Sequence, residues 1–343
     1  MNEYFNNNED PLLIAEVSAN HDKSLSQLFL LIELAHSSGW NCVKLQTYTA
    51  DSLSVRSNHK STKVGKEWGG GRLYDLYDRA AMPMEFHQPA FEKIRELGMV
   101  PLTSIYDPRD LDFLEKLQCS AYKVSSFELT YLDLLRTIAD TGKDLILSTG
   151  MASLNEIKTS IDTIKNKNPE TNITLMHCIS AYPAPVETVN LSAIETLRDT
   201  FNLNVGFSDH TLGSEAAILA FTLGASMLEK HITNDKMREG PDHRFSAEPQ
   251  ILREIVKGIK RVQTLRGSGE KGALKSEEAN KKMGRRSAFT TKIIKKGEKI
   301  AQDNFRFVRP EVGIPADTDQ PLIGRTLNKQ LAEGMPIKWD DLE

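Results

Sequence analysis

Short apolar runs recur along the first two-thirds of the chain. They are LLIAEVS (12–18), CVKLQTY (42–48), VPLTSI (100–105), AYKVSS (121–126), DLILST (144–149), ITLMHC (173–178), NVGFSD (204–209) and MLEKHI (227–232). Each is continuous rather than alternating, as parallel strands covered by helices require. The segments between them carry helical spacing. Leu25, Leu28, Ile32 and Ala35 share one helix face, and Gly39 follows as a stop. Ser153-Leu154-Asn155-Glu156 is a capping box ahead of Ile157, Ile161 and Ile164. Leu252, Ile255, Val256, Ile259 and Val262 form the stripe of a last helix, closed by Gly267. Eight strand–helix units over about 260 residues predict a (β/α)8 TIM barrel at 1–266. An open doubly wound sheet is the alternative, but no glycine-rich turn follows the first run.

Two intervals break this rhythm. Residues 49–83 are too many for a plain connection and include Trp68, Tyr74 and Tyr77. A segment of that length is either a solvated excursion or a substrate lid. Residues 267–284 are polar, lack an apolar stripe and read as a linker. A small β-rich domain is predicted at 285–343. There Lys296-Gly297-Glu298 and Glu333-Gly334-Met335 each precede a short apolar run, as tight turns do.

Composition narrows the functional classes. A formal net charge of −4 with 26% charged residues points to neither nucleic acid nor a membrane surface as partner. No apolar run is long enough to span a bilayer. The opening MNEYFNNNED is unlike a signal peptide. Cys42, Cys119 and Cys178 form no CxxC, which suits a reducing, cytoplasmic setting.

In a barrel of this kind the carboxyl ends of the strands hold the chemistry. Those ends supply Glu16, Ser18, Asn20 and His21; Lys44 and Gln46; Ser104 and Tyr106; Lys123, Ser126 and Glu128; Ser148 and Thr149; Ser180 and Tyr182; Ser208, His210 and His231. Two lysines among several hydroxyls make a site for an anion such as phosphate. A helical pattern from Glu215 to Leu223 joins the strands that end near His210 and His231, so both histidines come to one end of neighbouring parallel strands. Either alone reads as a buried, hydrogen-bonded imidazole. As a pair, with Asp209 and Asp242 close by in sequence, they read as ligands of one divalent ion.

The phrases AEVSANH (15–21), KLQTYTADSL (44–53), KVSSFE (123–128), LSTGM (147–151), SAYPAP (180–185), GFSDHTLGS (206–214), EKHIT (229–233) and GPDHRFSAEP (240–249) resemble the sialic acid synthase family. Within it, SANH, KLQTYT, SSFE, SAYPAP and the 68–83 segment are most similar to the pseudaminic acid synthase branch, whereas GPDH is shared with other branches. GRRS (284–287), IKKGE (294–298) and VRP (308–310) resemble the family's C-terminal SAF, or antifreeze-like, domain.

The resemblance implies a transferase that condenses phosphoenolpyruvate with an N-acetylated aminosugar and releases phosphate by C–O cleavage, assisted by Mn2+ or Mg2+. It implies that His210 and His231 are the metal ligands. Lys44, Gln46, Ser104, Lys123, Ser126, Ser148 and Ser208 would surround phosphoenolpyruvate and its neighbours. Glu16, Tyr182 and Asp242 would lie on the sugar side, and Glu128 would handle a proton. Arg309 would reach over the barrel mouth of a partner subunit, which makes a domain-swapped homodimer the expected assembly. Two other readings remain: a Schiff-base pyruvate aldolase using Lys123, and a non-enzymatic sugar-binding protein.

Overall fold

The structure, a computed structural model, describes residues 11–65 and 70–343. Trp68 lies outside the described residues. Eight parallel strands close into a barrel in chain order. They are β1 (Leu12–Glu16), β2 (Cys42–Thr47), β3 (Val100–Ile105), β4 (Ala121–Val124), β5 (Asp144–Ser148), β6 (Ile173–Cys178), β7 (Asn204–Asp209) and β8 (Met227–His231). The ring is sealed where β1 pairs with β8, Glu16 opposite His231. Each predicted apolar run became a strand, and closure excludes the open sheet.

The two-residue period of a strand explains how one sequence builds both a core and a site. Leu12, Ile14, Cys42, Leu102, Ala121, Ile146, Met176 and Met227 fill the barrel interior as one buried cluster. Two residues further along the same strand faces come Glu16, Lys44, Ser104, Lys123, Ser148, Cys178 and Glu229. The inward faces are thus apolar at the amino end and polar at the carboxyl end. Gly206 belongs to the packed layer, where a β-carbon would run into Met227. The outward faces bury Ala15, Val43, Tyr122, Leu147 and Phe207 against the helical shell. The predicted capping box forms, with Ser153 accepting from the Glu156 amide at the head of the helix Leu154–Lys167.

The interval 49–83 is not a structureless excursion. It contains the helices Ala50–Leu53 and Leu73–Ala80. The predicted linker likewise carries a short helix, Glu278–Gly284. The chain divides into two compact units, Met1–Arg266 and Gly267–Glu343. In the second, β9 (Ser287–Thr290) and β10 (Phe305–Val308) pair antiparallel. Its own core includes Ala288, Ile294, Ile300, Ile314, Leu327 and Ile337. Gly297 and Gly334 take φ of +79° and +74°, the left-handed conformation that the two predicted turns need. Among the described residues, no helix is long and apolar enough to cross a membrane.

Candidate active site

A cavity of about 420 Å³ opens at the carboxyl ends of the barrel strands. Its lining includes Glu16, Lys44, Gln46, Lys123, Ser126, Glu128, Ser148, Tyr182, Ser208, His210, His231 and Asp242, all anticipated from the strand ends or the family phrases. Ser104 is not among the lining residues; it is fully buried and accepts a hydrogen bond from Lys44 Nζ at 3.1 Å. Arg309 is exposed in the second unit, next to the end of β10.

Glu229 is the residue that the strand-end reading missed. Its Oε2 lies 3.2 Å from Lys44 Nζ and 3.8 Å from Lys123 Nζ, and its Oε1 accepts from Ser208 at 3.0 Å. Lys44 also lies 3.1 Å from Glu16 Oε2. Neither of those two Oε2 atoms takes a well-directed hydrogen bond. Lys123 donates to Ser148 Oγ at 2.5 Å and to the Val124 carbonyl at 3.3 Å. The signal for Glu229 was available: it precedes His231 by two positions, so both side chains share the inward face of β8.

Burial alone would raise both carboxyls, but their neighbours differ. Burial pushes Glu16 up to about 7, against the opposing pull of Lys44 and with the Glu229 carboxylate adding to the rise. For Glu229 burial is outweighed by Lys123 and Lys44, which hold the carboxyl at about 2. Lys123 is lowered by burial, only partly offset by Glu229. Lys44 is raised, because Glu16 and Glu229 overcome its burial. Burial also raises Glu128 and Asp242.

Asp242 is fixed from the β1 side: Ser18 Oγ donates to it at 2.5 Å and the Ala19 amide at 3.2 Å. Gln46 Nε2 ties the same corner together, donating to Glu16 at 2.8 Å and to Ser18 at 3.1 Å. Asn20 is structural, donating to the Ile232 carbonyl and to Ser246 at 2.8 Å each. His21 is buried, and that burial lowers it to about 4.

His210 and His231 face each other with ring centroids 5.5 Å apart, and Tyr182 packs 4.4 Å from the His210 ring. His231 is the last residue of β8. Burial lowers both imidazoles, so they are neutral. His210 Nδ1 sits 2.8 Å from the Ile179 carbonyl, which can only accept, so Nδ1 carries the proton and Nε2 is left as a ligand atom. His231 Nδ1 is a buried atom with no hydrogen-bond partner. A neutral, partly orphaned pair of imidazoles fits a divalent cation. Among the described residues no third His, Cys, Asp or Glu joins them in a ligand cluster, so further ligands would come from substrate or water. Asp209 is not one of them. It lies on the outward face, where Lys230 Nζ donates to it at 2.6 Å and Thr211 donates to it through amide and hydroxyl at 2.9 and 2.7 Å.

Residues 285–343 match the SAF domain. The pseudaminic acid synthase of Helicobacter pylori is 35% identical over 336 residues, covering 98% of each chain. The N,N'-diacetyllegionaminic acid synthase of Campylobacter jejuni is 36% identical over 329 residues, covering 95% of this chain and 98% of that one. The crystal structure of the N-acetylneuraminic acid synthetase of Leptospira borgpetersenii superposes with a TM-score of 0.71 at 29% identity, covering 80% of this chain and 92% of that chain. With the NeuB family pattern matched over residues 31–271 and relatives of this identity spanning nearly its whole length, the chain belongs to the NeuB family.

Proposed function

We propose that this chain is a transferase of the pseudaminic acid synthase type. It condenses phosphoenolpyruvate with an N-acetylated aminosugar, 2,4-diacetamido-2,4,6-trideoxy-altrose, to give a nine-carbon 2-keto acid and phosphate. The observation that carries the reading is one cavity holding both a two-lysine anion site and a pair of neutral histidines. Lys44 with Ser104, and Lys123 with Ser148, suit the phosphate and carboxylate of phosphoenolpyruvate.

Charge balance supports a cation as well. Glu16, Glu128, Glu229 and Asp242 line a cavity with only two ammonium groups, and the substrate is itself an anion. Protons on the raised carboxyls offset part of that excess. His210 and His231 are the residues to hold Mn2+ or Mg2+, which would supply a Lewis acid for the sugar's carbonyl oxygen.

Held by its two anionic groups, phosphoenolpyruvate presents C3 to the aldehyde carbon. Its C2=C3 π pair forms the C–C bond, the C=O π pair passes to the aldehyde oxygen, which takes a proton, and C2 is left cationic. Water adds at C2. The tetrahedral intermediate then breaks its C2–O bond, and the electron pair leaves with phosphate. Glu16, whose carboxyl is raised to about 7, can hold or release a proton near neutrality, and Glu128 is the second proton carrier. The remaining contribution is proximity and preorganised charge. Arg309 completes the site of a partner chain in a homodimer.

The second reading is a manno-configured N-acetyl sugar, as for legionaminate or N-acetylneuraminate synthases. The near-equal identities to the Helicobacter and Campylobacter relatives favour it as the rival. Phosphate release from phosphoenolpyruvate, measured against a panel of N-acetylated and 6-deoxy diacetamido sugars, decides between them. With ¹⁸O in the bridging position, the label should leave with phosphate. Label kept in the keto acid, or borohydride trapping of Lys123 with pyruvate, would overturn the mechanism.

A further inference from the structure

The helix Leu73–Ala80 carries Leu73, Leu76, Tyr77 and Ala80 at positions i, i+3, i+4 and i+7. An apolar stripe at that spacing ordinarily turns toward a core. Here all four line the cavity, and none belongs to the barrel core. Leu53 and Val64 extend the same wall. The opposite face is polar, with Arg72 and Asp75 paired at 2.6 Å. Lys23 Nζ holds the helix to the β1 side by donating to the Asp78 carbonyl at 2.7 Å. Tyrosines adjoin the wall and also line the cavity: Tyr48 packs edge-on to Tyr106 at 5.3 Å and to Tyr77 at 6.1 Å between centroids.

The cavity is therefore two-sided. Strand ends β4, β5, β7 and β8 bring the lysine–serine pair, Glu229 and the two histidines, the groups that handle the reacting atoms. The helix follows β2 and offers those atoms nothing but hydrocarbon and a phenol. With the sugar's carbonyl at the histidines, as the condensation reading has it, the helix would meet the part of the sugar remote from that carbonyl.

We infer that this helix is the specificity wall of the site and selects an aldose with apolar distal substituents: a methyl group in place of the C6 hydroxymethyl, and N-acetyl methyls on the ring carbons. The inference rests on the condensation reading above. A C6 hydroxyl pressed against Leu73, Leu76 and Ala80 would lose its water and find no hydrogen-bonding group among those side chains to replace it. A methyl there covers the stripe instead. An apolar pocket rejects an added hydroxyl by about 10- to 100-fold, and that sets the expected size of the effect.

The test compares kcat/KM for a 2,4-diacetamido-2,4,6-trideoxy hexose with the same sugar bearing its C6 hydroxyl. The wild-type enzyme should prefer the deoxy sugar by about 10- to 100-fold. Leu76→Asn, and separately Leu73→Asn, should narrow that ratio about tenfold without changing the KM for phosphoenolpyruvate, while Leu76→Met should keep it. Thermal melting confirms that each variant folds; both leucines are only half-buried. Equal wild-type use of the two sugars, or a fall in both rates that leaves the ratio unchanged, overturns the inference. A wild-type enzyme that releases phosphate with no sugar overturns the condensation reading, and this inference with it.

Discussion

Glu16 and Glu229 face the same lysine, yet their acidities are driven apart. Glu229 sees two ammonium groups, whereas Glu16 sees one ammonium and the carboxylate of Glu229. Pairs separated in this way mark acid and base roles. The sign of the stability effect follows. A glutamate raised from 4.5 to about 7 binds its proton more tightly folded than unfolded. Its contribution is fully present below the unfolded value and is lost as pH rises through the folded one. The cost at alkaline pH is on the order of 3 kcal/mol. Glu16→Gln should therefore melt above the parent at pH 8 and flatten the stability profile between pH 4.5 and 7; thermal melts across that window check it. A second expectation concerns the histidines. Chelation should abolish turnover and Mn2+ restore it, and His210→Ala should no longer bind Mn2+ by calorimetry while melting with the parent. Full activity in excess chelator would falsify the metal assignment. Residue-scale legibility was limited by strand parity. Asp209 adjoins His210 in sequence, but neighbours on a strand point to opposite faces, so Asp209 faces outward while Glu229, two from His231, faces in.

At the scale of elements, continuous apolar runs made all eight strands readable, because parallel strands are buried on both faces. The helix Leu73–Ala80 was not read, although its stripe was present. Its eight residues lie inside a long polar interval, and a stripe of four gives too short a period to stand out there. The turn after β7 shows how an element holds a site residue. Lys230 on β8 donates to Asp209 at 2.6 Å and to the Thr211 carbonyl at 2.8 Å, fixing the backbone on both sides of His210. Both charges are buried. Removing one partner of such a pair typically costs about 3–5 kcal/mol, because the other is left uncompensated. Lys230→Met should lose stability of that order in denaturant titration. The double variant Lys230→Met with Asp209→Leu should regain most of it, since an apolar pair leaves no stranded charge. If the single variant unfolds with the parent, the pair is not what holds the turn.

For the whole molecule, the open question is how the second unit serves the first. On the proposed condensation the barrel cavity admits the one water that adds at C2 and gains from shielding its charged groups from bulk solvent, and Arg309 stands exposed in a unit with its own core. A guanidinium there can pair in a fork with acetamido or hydroxyl oxygens. The connection sets what is reachable. Residues 267–277 can extend to roughly 37 Å, and the seven-residue helix Glu278–Gly284 adds about 10 Å, so the helix shortens the reach of a fully extended linker without abolishing it. In a two-fold dimer one repeated contact would close both sites. Arg309→Ala should then raise the KM for sugar far more than that for phosphoenolpyruvate. Mixed with His210→Ala, which has a defective barrel but an intact Arg309, it should form heterodimers in which one site has every residue it needs. After subunit exchange the mixture should regain up to about a quarter of wild-type activity, since half the dimers are mixed and each has one intact site. No regain, with exchange verified by mass, would place Arg309 in the service of its own barrel or of none.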